Sequence, residues 1–187
     1  MNVMTTLKTH YDNSLTLEEY LAHMQVNKDE MLAIYDAFQV PDDARLQEIK
    51  DKDLKAIVIT EDWCADAMVN IPVLMRIAEA ASIDLRFSLR DDNLELMDQY
   101  LTNGTARSIP IFVFLDATDH QYAVWGPRAQ VVQDYVTEVR QDLPSKDAPD
   151  FEEQQKAVHH TIHEKYKNTP EFWEEIYNSI VERLIHL

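Results

Sequence analysis

The sequence contains one cysteine, only two glycines in 187 residues, half as many basic as acidic side chains, and no long apolar run. A single cysteine rules out an internal disulfide framework and any cysteine-rich zinc site. With 17 Lys and Arg against 34 Asp and Glu, the net charge is −17. That balance argues against nucleic acid and anionic membrane as partners, because a phosphate-binding surface needs clustered cations. No stretch approaches the roughly 20 apolar residues of a membrane span. Residues 1–6 have neither the basic nor the apolar region of a secretion leader, so the expectation is a cytoplasmic globular protein. Scarce glycine favours a helix-rich chain with few left-handed turns. Hydrophobic residues make up 45% of the chain and aromatics 9%, enough to bury a core. The length suits one domain, or one domain with an appendage.

Residues 1–53 read as a helical extension. Thr16 followed by Glu19 fits a capping box, with Tyr20, Leu21 and Met24 on one apolar face. Asn27 and Glu30 repeat the start signal ahead of Met31, Ile34, Tyr35 and Phe38, and Pro41 stops that helix. The pattern changes at residues 56–60, a short β-branched run expected of a buried strand. Met68, Ile71, Leu74, Met75 and Ala78 then recur at helical spacing, with Pro72 inside the helix as a kink. Residues 83–89 alternate with period two and predict a second strand. Leu94, Met97 and Leu101 predict a helix ended by Asn103 and Gly104. Residues 110–115 and 122–125 predict two more strands, and Val131 to Val139 another helix. The first two strands, joined by a helix, should be parallel; the last two, joined by a short turn, antiparallel. Residues 54–143 thus predict an α/β domain with a mixed sheet of about four strands. Beyond a linker at 144–149, residues 150–187 predict a helical pair, the second helix opened by Thr169 and Pro170.

The sharpest constellation is Trp63 and Cys64 at a strand-to-helix junction, paired with Ile109 and Pro110 at the start of a later strand. A thiol at a helix N-terminus meets the positive end of the dipole and free backbone N–H groups, which favour thiolate by about 0.3–1 kcal/mol. Glu61, Asp62 and Asp66 oppose it, each by roughly 0.6 kcal/mol at ~7 Å in a water-like dielectric. The terms are comparable, and their cancellation leaves a thiol near about 8.5. A proline opening a strand beside the thiol is a candidate cis residue, and the backbone of Ile109 is then free to pair with an extended peptide. Asp66, in the first helical turn, is a candidate for proton transfer, although acids are also favoured there for purely structural reasons.

At these residues the chain resembles the thioredoxin-like superfamily. Trp63, Cys64, Ala65, Asp66 and Ala67 stand where that family carries Trp-Cys-x-x-Cys; Pro72 matches its kinking proline, Ile109 and Pro110 its cis-proline, and Gly126 the glycine after its last strand. The combination Trp-Cys-x-Asp is similar to a bacterial branch described only as thioredoxin family protein. The resemblance covers about residues 54–142. It implies a thiol–disulfide exchange site with Cys64 as nucleophile and Trp63, Ile109 and Pro110 as substrate-binding residues. Two departures limit what it implies. Ala67 replaces the second cysteine, and Val58 replaces the buried acid of the dithiol members. A dithiol site resolves its mixed disulfide internally at high effective concentration, which this chain cannot do.

Two functions remain on these residues. One is a monothiol oxidoreductase of the redox-homeostasis kind, which takes a protein disulfide or mixed disulfide as substrate and a small-molecule thiol as resolver. The other is a redox-inactive thioredoxin-like interaction module. No cofactor is called for. His159, His160 and His163 form a small cluster with His159 and His163 on one helix face, and Glu152, Glu153 and Glu164 nearby are either further ligands or a solvated acidic face; a metal site needs its ligands placed by the fold, and none is assigned. The stripe Phe172, Trp173, Ile176, Tyr177, Ile180, Val181, Leu184 and Ile185 predicts packing on the chain's own domain, over faces away from Cys64, with a homodimer through this helix as the alternative.

Overall fold

The computed structural model describes residues 6–186, so the leader reading of residues 1–5 lies outside the described residues. The element order is α1 (Leu7–Asn13), β1 (Leu15–Thr16), α2 (Leu17–His23), α3 (Lys28–Ala37), α4 (Ala44–Lys50), β2 (Lys55–Thr60), α5 (Ala65–Ala81) and β3 (Asp84–Leu89). A short 3₁₀ turn (Arg90–Asp92) follows, then α6 (Leu94–Met97), β4 (Ile111–Leu115), β5 (Gln121–Trp125), α7 (Gln130–Arg140), α8 (Phe151–Asn168) and α9 (Pro170–Ile185). The sheet has five strands in the order β1-β3-β2-β4-β5. β2 and β3 are parallel, as the intervening helix requires, and β4 and β5 are antiparallel, as their short turn requires.

The fifth strand corrects the expectation of about four. Leu15 and Thr16 pair antiparallel with Phe87 and Arg86, inside the stretch read as wholly helical. Thr16 does double duty. It is the last strand residue and also the N-cap of α2, in a complete capping box with Glu19. α1 is a second addition, and the helix expected over Leu94 to Leu101 is shorter: it ends at Met97 and gives way to turns and a bridge between Thr102 and Ala106.

Alternation along the strands divides the core into two layers. Ala56 and Val58 of β2 join Phe112, Phe114 and Phe87 in the larger cluster under α2–α5 and α7–α9. Ile57 and Ile59 join Ile111, Val113 and Leu115 in a smaller one with Tyr11, Leu96 and Met97. Because both faces are covered, β2 and β4 read as continuous apolar runs. Tyr20 stacks on Phe87 with ring centroids 4.6 Å apart, and Phe112 on Trp125 at 5.2 Å. α5 runs unbroken through the buried Pro72.

α9 buries Phe172, Trp173, Ile176, Tyr177, Ile180, Val181 and Leu184 against α4, α5, α7 and β5 of its own chain. Each fully buried side chain of this size contributes roughly 1.5–3 kcal/mol. Polar ties fix the helix in place: Trp125 Nε1–H donates to Ser179 Oγ (2.9 Å), and the hydroxyl of Tyr122 to the Leu184 carbonyl (2.7 Å). These seven side chains are buried within the chain itself, as the stripe predicts. α8, the first helix of the pair, has a different place. It packs on α5 and α7, and its residues His159, Ile162 and His163 lie beside Cys64.

Candidate functional site

The site forms where β2 ends and α5 begins, at the carboxyl edge of the central parallel strand. Cys64 is the N-cap of α5 with extended backbone (φ −84°, ψ 122°), and its carbonyl accepts the first helical bond from Met68 N–H (3.0 Å). Its half-buried side chain touches both core layers. The thiol points at the carbonyl oxygen of Ile109, 3.5 Å from Sγ. The Ile109–Pro110 peptide is cis. Pro110 is buried, as is Ile109, whose side chain belongs to the smaller core layer. Trp63 is 52% exposed, with the Arg90 guanidinium 5.0 Å from its ring centroid. Trp63, Cys64, Ile109 and Pro110 are therefore neighbours at one edge of the sheet.

Asp66 is tied into a network that the sequence did not reveal. Arg128 Nε–H and Nη2–H donate to its two carboxylate oxygens at 2.9 and 2.7 Å, and the Tyr166 hydroxyl donates to Oδ1 at 2.7 Å. Both partners of the ion pair are mostly buried, with side chains 13% exposed. Burial opposes the Arg128 charge, but Asp66 and then Tyr166 outweigh it, and the guanidinium is held above its ordinary value. A carboxylate accepting three charge-assisted or hydroxyl bonds anchors α5 to α8 and to the loop after β5; it is not a free base beside the thiol. Arg128 follows Gly126 and Pro127 directly, so the glycine singled out in the sequence lay next to the missing partner. Tyr166 had no local signal.

The other side of the site is held from the N-terminal segment. Asn27 adopts a left-handed conformation (φ 62°) at the start of α3 but makes no side-chain cap there. Its amide instead donates to the Asp62 carbonyl (3.1 Å), and its Oδ1 meets His163 Nε2 at 3.0 Å. Asp62 accepts the N–H groups of Gln25 (2.8 Å) and Val26 (3.1 Å), so residues 61–63 are clamped on both sides. Among the described residues no group of three potential ligands is arranged for a metal, and His159 and His163 serve as walls of a cavity next to Cys64.

The electrostatic balance at Cys64 differs from the one expected. Burial pushes the thiol up to about 11, with the Asp66 charge adding to the effect. The N–H groups of Ala67 and Asp66 and the Arg128 charge pull the other way and lose. The helix terminus acts in the direction its dipole requires, but desolvation outweighs it.

Gly126 completes the frame. Its φ of +133° is one that side chains rarely tolerate, and a Cβ there would collide with the Pro110 carbonyl oxygen.

A parallel β2–β3 pair, an antiparallel β4–β5 pair, and a helix-capping cysteine opposite a cis-proline define a thioredoxin-like fold. A sequence profile described as thioredoxin matches residues 14–140, and the chain belongs to this family. Two solved structures are similar in fold. One is a 1.5 Å crystal structure of a protein of unknown function from Pseudomonas aeruginosa, 15% identical, covering 95% of this chain and 98% of that one, with a TM-score of 0.62. The other is an HIV epitope-scaffold, 14% identical, covering 97% and 98%, with a TM-score of 0.66. A search of curated proteins gave no significant match.

Proposed function

We propose that the chain performs monothiol thiol–disulfide exchange with Cys64 as the exchanging group and a small cytoplasmic thiol as resolver. The observation that carries this reading is the position of Sγ at the N-cap of α5, 3.5 Å from the carbonyl at the cis Ile109–Pro110 peptide and next to the exposed Trp63. In the first step the Cys64 thiolate attacks one sulfur of a disulfide. The new Sγ–S bond forms as the old S–S bond breaks, and the departing thiolate takes up the proton that Cys64 released. A small thiolate then attacks the substrate sulfur of the mixed disulfide; a new S–S bond joins the two as the Sγ–S bond breaks, and Cys64 returns as a thiolate. Ala67, 2% exposed, stands where an internal resolver would, so the second thiol must come from outside. Trp63 offers an aromatic face, and the Ile109–Pro110 segment a backbone edge, to the disulfide-bearing partner.

The experiment is intact-mass measurement after mixing the protein with a small disulfide, followed by a small thiol. The expected record is a single adduct that is absent in Cys64→Ser and removed by the thiol. Insulin reduction should require that added thiol and stay silent with a thioredoxin reductase alone. Turnover without any small thiol would contradict the reading. The elevated thiol favours one second reading, a thioredoxin-like interaction module with no redox role. Failure of Cys64 to form any adduct in the folded chain selects it.

A further inference from the structure

Between the start of α5 and α8 lies a cavity of about 280 Å³ with Cys64 in its wall. Trp63 and Ile162 give it apolar surface; Arg128, Arg140, His159 and His163 give it nitrogen donors. Its size falls just below the ~300–1,000 Å³ of typical small-molecule sites, which fits a small occupant and not a protein segment. Its charge is unusual for this chain. Of five surface cavities compared among the described residues, it is the one whose ionised lining is net basic. The others carry Glu18, Glu79 and Asp84 against Arg86, Glu174 alone, Asp134 and Glu138 against Arg140, or Glu79 against Arg76. The one acid in the cavity, Asp66, is already neutralised by Arg128. Arg140 has no carboxylate partner or hydrogen bond from its guanidinium among the described residues, and neither does the His159 ring. A protein of net charge −17 repels anions at a distance, but that field is screened beyond about 8 Å at physiological salt, and inside the cavity the local cations decide.

We infer that this cavity binds the carboxylate-bearing part of a low-molecular-weight thiol, so that the resolving thiol of Cys64 belongs to the anionic class. The inference rests on the exchange reading and adds to it the site and charge of the second substrate. Arg140 and His159 hold the carboxylates while the thiol's sulfur reaches Sγ. When Cys64 reacts with the corresponding disulfide, the Sγ–S bond forms as the S–S bond breaks, and the released thiolate takes the proton from Cys64. The attached half then lies in the cavity with its acids on the basic wall.

The test compares rates of mixed-disulfide formation with three probes: glutathione disulfide (anionic), bis(2-hydroxyethyl) disulfide (neutral) and cystamine (cationic). Each rate is divided by that of free cysteine with the same probe. The anionic-to-neutral ratio is expected at about five- to tenfold, as one solvent-exposed ion pair about 4 Å apart in a near-water dielectric gives. It should fall to near one in Arg140→Gln/His159→Gln; both replaced side chains are exposed, so the fold does not depend on them. Cystamine in the lead, or a ratio that survives the double substitution, overturns the inference. If no probe reacts, the exchange reading fails on its own, and the cavity is judged by titrating S-methylglutathione into Cys64→Ser. Saturable binding that is lost in the added Arg140→Gln supports the site, and no binding overturns it.

Discussion

A pH series of the reaction between Cys64 and a neutral disulfide measures how strongly the fold suppresses its thiol. Burial first, then Asp66, lifts the group from an ordinary 9.0 to about 11. At pH 7 that change cuts the thiolate from about 1% to about 0.01%. The thiolate that remains is more nucleophilic, and a Brønsted coefficient of about 0.4–0.5 returns roughly six- to tenfold over two units. The net expectation is a rate at pH 7 about ten- to sixteenfold below that of an exposed cysteine. The rate should climb about tenfold per pH unit and level only near 11, with circular dichroism verifying the fold at each point. Two variants test the cause. Asp66→Asn removes the opposing charge and releases that of Arg128, so the curve moves to lower pH; Arg128→Gln removes a favourable charge and moves it higher. A wild-type plateau below about pH 9, or an upward move in Asp66→Asn, would refute the reasoning.

Three further outcomes are expected. Gly126→Ala, forced into φ +133° and against the Pro110 carbonyl, should cost more than about 1 kcal/mol in urea unfolding and slow Cys64 exchange by displacing the proline segment. Asp43 is held near about 2 by Arg45 and, against its burial, by the Tyr177 hydroxyl as well. Its contribution is therefore complete above pH 3.8 and lost as pH falls toward 2, so Asp43→Asn should lower stability at pH 7 and flatten the acid-unfolding limb. Ile180, fully buried on the inner face of α9, should cost about 2–5 kcal/mol when cut to Ala, read as a lower urea midpoint.

The sequence made some elements legible and hid others for physical reasons. β2 and β4 stood out because strands covered on both faces are apolar throughout. β1 did not, because two residues hold no period and Thr16 had already been assigned to a helix cap. α1 buries only Tyr11, too little for an apolar stripe. Past Met97 the chain has apolar residues at helical spacing, yet tertiary turns replace the helix. At the site, Trp63, Cys64, Ile109 and Pro110 were legible because each sits in a short motif. Arg128, Tyr166 and Asn27 were not, because their partners lie 62, 100 and 136 residues away. Burial of the thiol belongs to that same long-range assembly, which is why local charges alone misjudged its acidity.

The wall that α8 supplies to Cys64 is made well after the cysteine itself. Domains fold from the N-terminus during synthesis, at about 5–20 residues per second. Cys64 and Tyr166 are separated by roughly one hundred residues, an interval of about 5–20 s at that pace. For that time Cys64 lacks the cavity wall of His159, Ile162 and His163, and Asp66 lacks the Tyr166 hydroxyl. The cysteine is made without that cover and becomes the reluctant thiol of the folded chain only when α8 docks.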